Sequence, residues 1–306
     1  MNKNLINHPY ISVIMSVYNE SNEELTKSIK SVLEQSYTDY EFIIVNDNPG
    51  NQTIASVLNN IKDKRTRIIN NKKNIGLARS LNIALNVAKG DIIARMDADD
   101  ICCRDRFVSQ IRYMEQNKLD MVGSYIQLID ENDNVIQNVM KFPSSHLKVS
   151  LFIKSGSCLP HPSWMVKNEI YKKLNGYRNV PRCEDFDFIL RALDQGVKMG
   201  NVPSVKVKYR IRNNSISMSG IIDQYLIRLY LLDNRRQISS ISEDNINKYI
   251  SSNKYTERKK TYIKYLDAKK IFKLNKFSGF FKCITNKFFF IDIRDKLFLY
   301  AREFFA

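Results

Sequence analysis

Residues 89–100 read Lys89-Gly-Asp-Ile-Ile-Ala-Arg-Met-Asp-Ala-Asp-Asp100. The stretch Asp91-Ile-Ile-Ala-Arg-Met96 is a short, mostly apolar run, of the kind that forms a strand buried on both faces of a parallel sheet. Before it, Leu77, Leu81, Ala84, Leu85 and Ala88 recur at helical spacing. They predict a helix from about Leu77 to Lys89, closed by Gly90. After it comes the polar cluster Asp97-Ala98-Asp99-Asp100. A helix feeding a buried strand that ends in carboxylates is the repeating unit of an open α/β sheet, with a ligand site on its rim.

The same unit recurs toward the N-terminus. Ile11-Ser-Val-Ile-Met-Ser-Val17, Glu41-Phe-Ile-Ile-Val45 and Arg67-Ile-Ile69 read as strands. Leu25, Ile29, Val32 and Leu33 mark a helix after the first, and Ile54, Val57, Leu58 and Ile61 one after the second. This rhythm predicts right-handed crossovers. The strands end in Tyr18-Asn19-Glu20, Asn46-Asp47-Asn48 and Asp97–Asp100, which places all three clusters on one rim.

Downstream, Met121–Ile129 and 134–141 read as strands around an Asp-rich turn at 130–133. Glu184 to Gln195 reads as a helix and Val205 to Ile211 as a strand. Beyond Ser219 the pattern is helical to the end.

Composition bounds the class. The chain has 306 residues, 43% hydrophobic and 26% charged, ordinary globular usage and long enough to bury a core without disulfide or metal staples. Five cysteines without a C-x-x-C pair, beside only three histidines, point to free thiols and away from a zinc site. No signal-like N-terminus and no apolar window of membrane-spanning length is present, so a cytoplasmic location is expected.

The net charge is +16, and +9 of it lies in residues 251–306. Residues 271–306 carry 11 of the 33 aromatics, interleaved with Lys and Arg. Such helices suit an anionic membrane surface. The alternative is a helical appendage whose Phe residues pack on the rest of the chain. No nucleic-acid-binding signature is present, which argues against that partner.

The chemistry sits in the acidic clusters. Asp97 and Asp99, one residue apart in a turn after a strand, can share a hard divalent cation that neutralises a diphosphate. Equally, Asp99 or Asp100 can cap a helix starting near Arg104. Glu184-Asp185 opens a helix, with Asp187 on the same turn. Backbone amides there favour an ionised carboxylate, as a general base requires, and capping is again the alternative.

In order and spacing these segments resemble glycosyltransferase family 2 over roughly residues 10–217. The matching stretches include residues 11–20, Ser28-Ile-Lys-Ser-Val-Leu-Glu-Gln-Ser-Tyr37 and residues 41–47. They continue through Asn74-Ile-Gly76, Ser80-Leu-Asn82, residues 89–100, His161-Pro-Ser, Glu184–Arg191 and Tyr209-Arg210. The resemblance implies a GT-A fold: a Rossmann-like mixed, mostly parallel sheet flanked by helices. A nucleotide-sugar half would span about 1–100 and an acceptor half 101–217, with a helical C-terminal region, 218–306, as an appendage.

It also implies roles. Asp47 would bind the uracil of a UDP-sugar, with Ser16, Tyr18 and Glu20 in the nucleotide loop and Arg79 nearby. Asp97 would touch the ribose, and Asp99, with Asp97, would hold Mn2+ or Mg2+. Asp100 would lie near the donor sugar. Asp185, supported by Glu184, would be the base of an inverting transfer. His161 would line the acceptor side.

Where many relatives have Tyr-Arg-x-His, this chain has Tyr209-Arg-Ile-Arg212. Arg212 cannot ligate a cation but can pair with phosphate. The resemblance implies a bacterial surface glycan as acceptor (capsule, lipooligosaccharide or exopolysaccharide), lipid-linked as is common in the family and met at the inner face of the plasma membrane. Two rivals are a nucleotidyltransferase and a non-catalytic membrane scaffold. The first is disfavoured by the acidic, Gly-free loop Ser16–Glu20.

Overall fold

The computed structural model describes residues 10–212, 220–274, 283, 286–293 and 295–296. The readings made on residues 1–9, on the boundary at 217/218, and on residues 280–282 and 302–305 lie outside the described residues.

Four parallel strands form half of a nine-stranded sheet, in the order β3-β2-β1-β4. They are β1 (Ile11–Val17), β2 (Tyr40–Asn46), β3 (Thr66–Asn70) and β4 (Ile92–Asp97). The other half is mixed. A short β8 (Met165–Lys167) runs antiparallel to β4 and to β6 (Met121–Ile129). β6 pairs in parallel with β9 (Met199–Arg210), which meets the two-residue β5 (Ile101–Cys102). β7 (Val135–Met140) pairs with β6. In β9 the register with β6 jumps from Val202 to Val205, so a bulge takes up Pro203, which has no N–H for the ladder.

The helices are α1 (Asn22–Leu33), α2 (Gln52–Asn59), α3 (Leu77–Val87), α4 (Arg106–Asn117), α5 (His146–Phe152), α6 (Asn168–Lys173), α7 (Glu184–Asp194), α8 (Ile221–Asp233), α9 (Glu243–Ile250) and α10 (Asn253–Leu274). Ser21 starts α1 with a reciprocal box. Its hydroxyl accepts from Glu24 N at 3.2 Å, and the Glu24 carboxylate accepts from Ser21 N at 3.0 Å. Leu25, Ile29 and Val32 are then buried along one stripe, worth about 1.5–3 kcal/mol each.

The unbroken apolar runs have a two-sided explanation. Val13 and Met15 face one core with Leu25 and Ile29, while Ile14 faces a second with Leu81, Ala84 and Trp164. α3 ends at Val87, before the expected Lys89, and Gly90 serves another purpose. A Cβ at Gly90 would lie 2.4 Å from Ser12 N, so glycine lets the start of β4 cross β1 closely.

α8 and α9 share the second core. Leu226, Leu229 and Ile246 pack in the same cluster as Phe188 and Ile189 of α7. Polar ties join them: Arg178 Nη1 donates to Ile238 O at 3.2 Å, and Asn179 N to the Glu243 carboxylate at 2.7 Å. Further on, the Phe288 ring is buried 4.8 Å from Tyr262, whereas Phe290 is 67% exposed. Among the described residues, no helix is long and apolar enough to cross a membrane.

Candidate functional site

The sheet register builds the rim. Ser16 of β1 stands opposite Asp97 of β4 and Val45 of β2, and Asp47 N donates to Val17 O at 2.8 Å. Ser16 is half-buried, Tyr18 is exposed, and the Glu20 carboxylate folds back to accept from Tyr18 N at 2.8 Å. Burial lifts the Glu20 carboxyl to about 7, even though the Tyr18 amide pulls it down.

Asp47 is buried below this edge. Its Oδ1 accepts from Asn71 Nδ2 at 2.8 Å and Ile75 N at 2.9 Å, and its Oδ2 from Gly76 N at 2.9 Å. It therefore fastens the entrance to α3, and Oδ2 retains accepting capacity. Arg79, one turn into α3, is exposed and has no partner among the described residues.

Asp97, Asp99 and Asp100 each offer an oxygen within 4.8 Å of the others. Neither Asp99 nor Asp100 caps a helix: α4 begins after Asp105, without a side-chain cap. Asp100 is buried, with Oδ1 accepting from Arg210 N at 2.8 Å and Oδ2 without a hydrogen-bond partner among the described residues. Burial and the neighbouring carboxylates push Asp100 well up, and burial followed by Asp97 raises Asp99 to about 6. Arg210 is anchored to the β6–β7 turn through Asp133 at 2.6 Å. Arg212 Nη2 bridges Glu24 at 3.0 Å and Asp99 at 3.2 Å.

Three crowded carboxylates, with the ionisation of Asp99 and Asp100 opposed by burial and by their neighbours, suit a hard divalent cation. The donor set fits Mn2+ or Mg2+.

Glu184 and Asp185 open α7 behind the backbone of Cys183, which offers no side-chain cap. Asp185 Oδ1 accepts from Phe186 N at 2.6 Å. Burial and then Asp185 raise the Glu184 carboxyl to about 7. Burial also raises Asp185, against the pull of the Phe186 amide and Arg95. Asp97 adds to both.

Asp187, on the same turn, points the other way. It is buried against Arg178 and Arg191, the latter at 2.8 Å, and belongs to the core. His161 is also buried: its Nε2 lies 2.9 Å from Tyr177 Oη, which in turn meets Tyr171 Oη at 2.8 Å. Burial, then Arg95, keeps His161 neutral.

Sequence reasoning missed Arg95 and Tyr177. A charged side chain in the middle of the otherwise apolar run of β4 was the available signal for Arg95. Nothing local marked Tyr177. A separate cavity of about 700 Å3, lined by Tyr10, Lys89, Asp91, Lys118, Lys167 and Lys172 among others, opens at the opposite ends of β1 and β4 and contains none of the rim carboxylates.

The order of these elements along the chain can now be set beside known proteins. A family model described as glycosyl transferase family 2 matches residues 12–191. The chain belongs to glycosyl transferase family 2. It is 36% identical over 227 residues to an uncharacterized glycosyltransferase of Methanocaldococcus jannaschii, covering 73% of this chain and 78% of that one. It is 36% identical over 214 residues to the O-antigen biosynthesis glycosyltransferase WbnJ of Escherichia coli, covering 69% and 83%.

The crystal structure of S. aureus TarS 1-349 superposes with a TM-score of 0.56 at 17% identity, over 80% of this chain and 73% of that one. The mannosyltransferase PcManGT from Pyrobaculum calidifontis, in complex with GDP-Man and Mn2+, gives 0.54 at 16% identity, over 72% and 62%. At these identities the likeness speaks for the fold, which is GT-A: a mixed sheet flanked by helices, followed by C-terminal helices. In this family 2 chain, the clusters that follow β1, β2 and β4 lie together at the carboxyl ends of those strands.

Proposed function

We propose that the protein is an inverting, metal-dependent transferase. It moves a hexose or N-acetylhexosamine from a UDP-sugar to a hydroxyl of a bacterial surface polysaccharide, with a lipid-linked acceptor as the expected form. What supports the reading is the Asp97–Asp99–Asp100 carboxylate triad at the end of β4, together with the electrostatic influence of Asp97 on the Glu184–Asp185 pair. Its biosynthetic setting is supported by similarity to WbnJ and to the amylovoran biosynthesis glycosyltransferase AmsE of Erwinia amylovora.

Asp97, Asp99 and Asp100 would hold Mn2+ or Mg2+, which when bound offsets the charge of the departing diphosphate. Ser16, Tyr18, Glu20, Asp47 and Arg79 shape the nucleotide end of the cleft, and Arg212 is placed to pair with phosphate oxygens. Asp185 takes the proton from the acceptor hydroxyl, with Glu184 supporting it. That hydroxyl oxygen forms the new bond at the anomeric carbon as the bond to the UDP oxygen breaks, so configuration inverts. His161 supports the acceptor side through Tyr177.

The test is a panel of UDP-sugars with purified protein and Mn2+, scored by UDP release. Release from none of them, with a glycan acceptor supplied, sinks the reading.

We also propose that the protein sits at an anionic inner leaflet, supported by the +9 excess of residues 251–306. Deleting residues after 270 should weaken binding to phosphatidylglycerol vesicles, most visibly at low salt. Equal binding by the shortened protein removes that idea.

A further inference from the structure

We propose that Arg95 is a positioning residue whose buried charge ties the cation-binding turn to the Glu184–Asp185 pair; this rests on the transferase reading above. Arg95 sits mid-strand in β4, opposite Ile14 of β1, with its side chain 2% exposed. Its Nη2 pairs with Asp97. Its Nε and Nη1 are buried and have no hydrogen-bond acceptor among the described residues.

Holding a guanidinium away from water with donors unmatched is costly, and one ion pair does not offset it. The surrounding charges explain its retention. Arg95 pairs with Asp97, and its charge also favours the ionised forms of Asp100, Glu184 and Asp185. Its charge also acts on Tyr171, Tyr177, Tyr209, the neutral His161 and Arg106.

Three other arginines near the turn are committed elsewhere. Arg106 is satisfied by Gln110 and by the carbonyls of Arg95 and Trp164. Arg210 holds Asp133, and Arg212 holds Glu24 and Asp99. Arg95 is thus a positive charge that acts on both carboxylate groups. It aims Asp97 at the ligand side of the turn. It also opposes the mutual repulsion that would otherwise lead Glu184 and Asp185 to take up protons.

Arg95→Met and Arg95→Lys separate a charge role from a packing role. Activity is measured on the donor that the UDP-sugar panel identifies, and UDP binding is measured by calorimetry in Mn2+. Arg95→Met is expected to lower kcat by about 30-fold or more, with donor KM and UDP affinity within about fivefold, and Arg95→Lys to recover about tenfold of that loss. Wild-type kcat in Arg95→Met, a loss confined to KM, or a Lys variant no better than Met overturns the proposal.

Should Arg95→Met fail to fold, Arg95→Lys decides. With a wild-type melting temperature, kcat within about tenfold of wild type supports the charge role, and a larger loss overturns it. A wild-type protein inactive on every donor overturns the transferase reading and this proposal with it, whereas an active wild type with an indifferent Arg95→Met overturns only the latter.

Discussion

Arg212 Nη2 lies 3.2 Å from Asp99 Oδ2 and 3.0 Å from Glu24 Oε2, so a guanidinium already stands beside the turn that is shaped for a divalent cation. An incoming cation must share Asp99 with it. Arg212→Ala is expected to tighten Mn2+ binding by the ligand-free protein about fivefold, the scale of a partly exposed pair. Donor KM should rise about tenfold as the phosphates lose a partner. Calorimetry with MnCl2 and initial rates check both, and unchanged Mn2+ affinity would show that the arginine and the cation do not compete.

Asp185→Asn keeps the shape of the α7 entrance but cannot accept a proton. Turnover should fall about 100-fold or more, with UDP affinity retained. Full activity in this variant would remove Asp185 as the base.

The neighbouring Asp187 gives the contrasting outcome. Asp187→Asn leaves Arg178 and Arg191 facing a neutral group in the core. A loss of about 3–5 kcal/mol in folding stability is expected, the usual result of breaking a buried pair. Denaturant unfolding measures it, and a wild-type midpoint would refute the structural assignment.

Glu184 makes stability and activity respond oppositely to pH. Its carboxyl is raised from the usual 4.5 to about 7 in the folded protein, by burial and by Asp185. The folded state therefore binds the extra proton between those values, and stability is lost as pH rises through about 7. Glu184→Gln does not titrate, so its melting temperature should gain on wild type by a few degrees between pH 5 and pH 8. Turnover by the wild type should show an acid limb near pH 7, because the pair must shed its proton before a base is free. A flat profile from pH 5 to 8 would contradict the shared-proton arrangement.

Much of the fold was legible in the sequence, because the first half is built from long elements with clean periodicity. β1 is an apolar run from Ile11 to Val17, and α1 carries a buried stripe at Leu25, Ile29 and Val32. The mixed half was harder to read. β5 has two residues and β8 three, too few to show a period, and their pairing comes from tertiary contact with β9 and β4. β9 begins at Met199 instead of Val205 because its bulge absorbs the proline that interrupts the pattern. At the site, the acidic residues declared themselves by clustering at strand and helix ends. Their direction did not: nothing local to Glu184-Asp-Phe-Asp187 says that its last carboxylate turns into the core, since that is decided by Arg178 and Arg191.

The shared packing of α8 and α9 with α7 has a practical consequence for handling the molecule. Leu226 and Ile246 seal the side of the helix that carries Glu184 and Asp185. A clone stopped near residue 217, where the family resemblance ends, would leave that side greasy and wet. It should precipitate or lose its fold, so the enzyme cannot be trimmed to its motif-bearing portion.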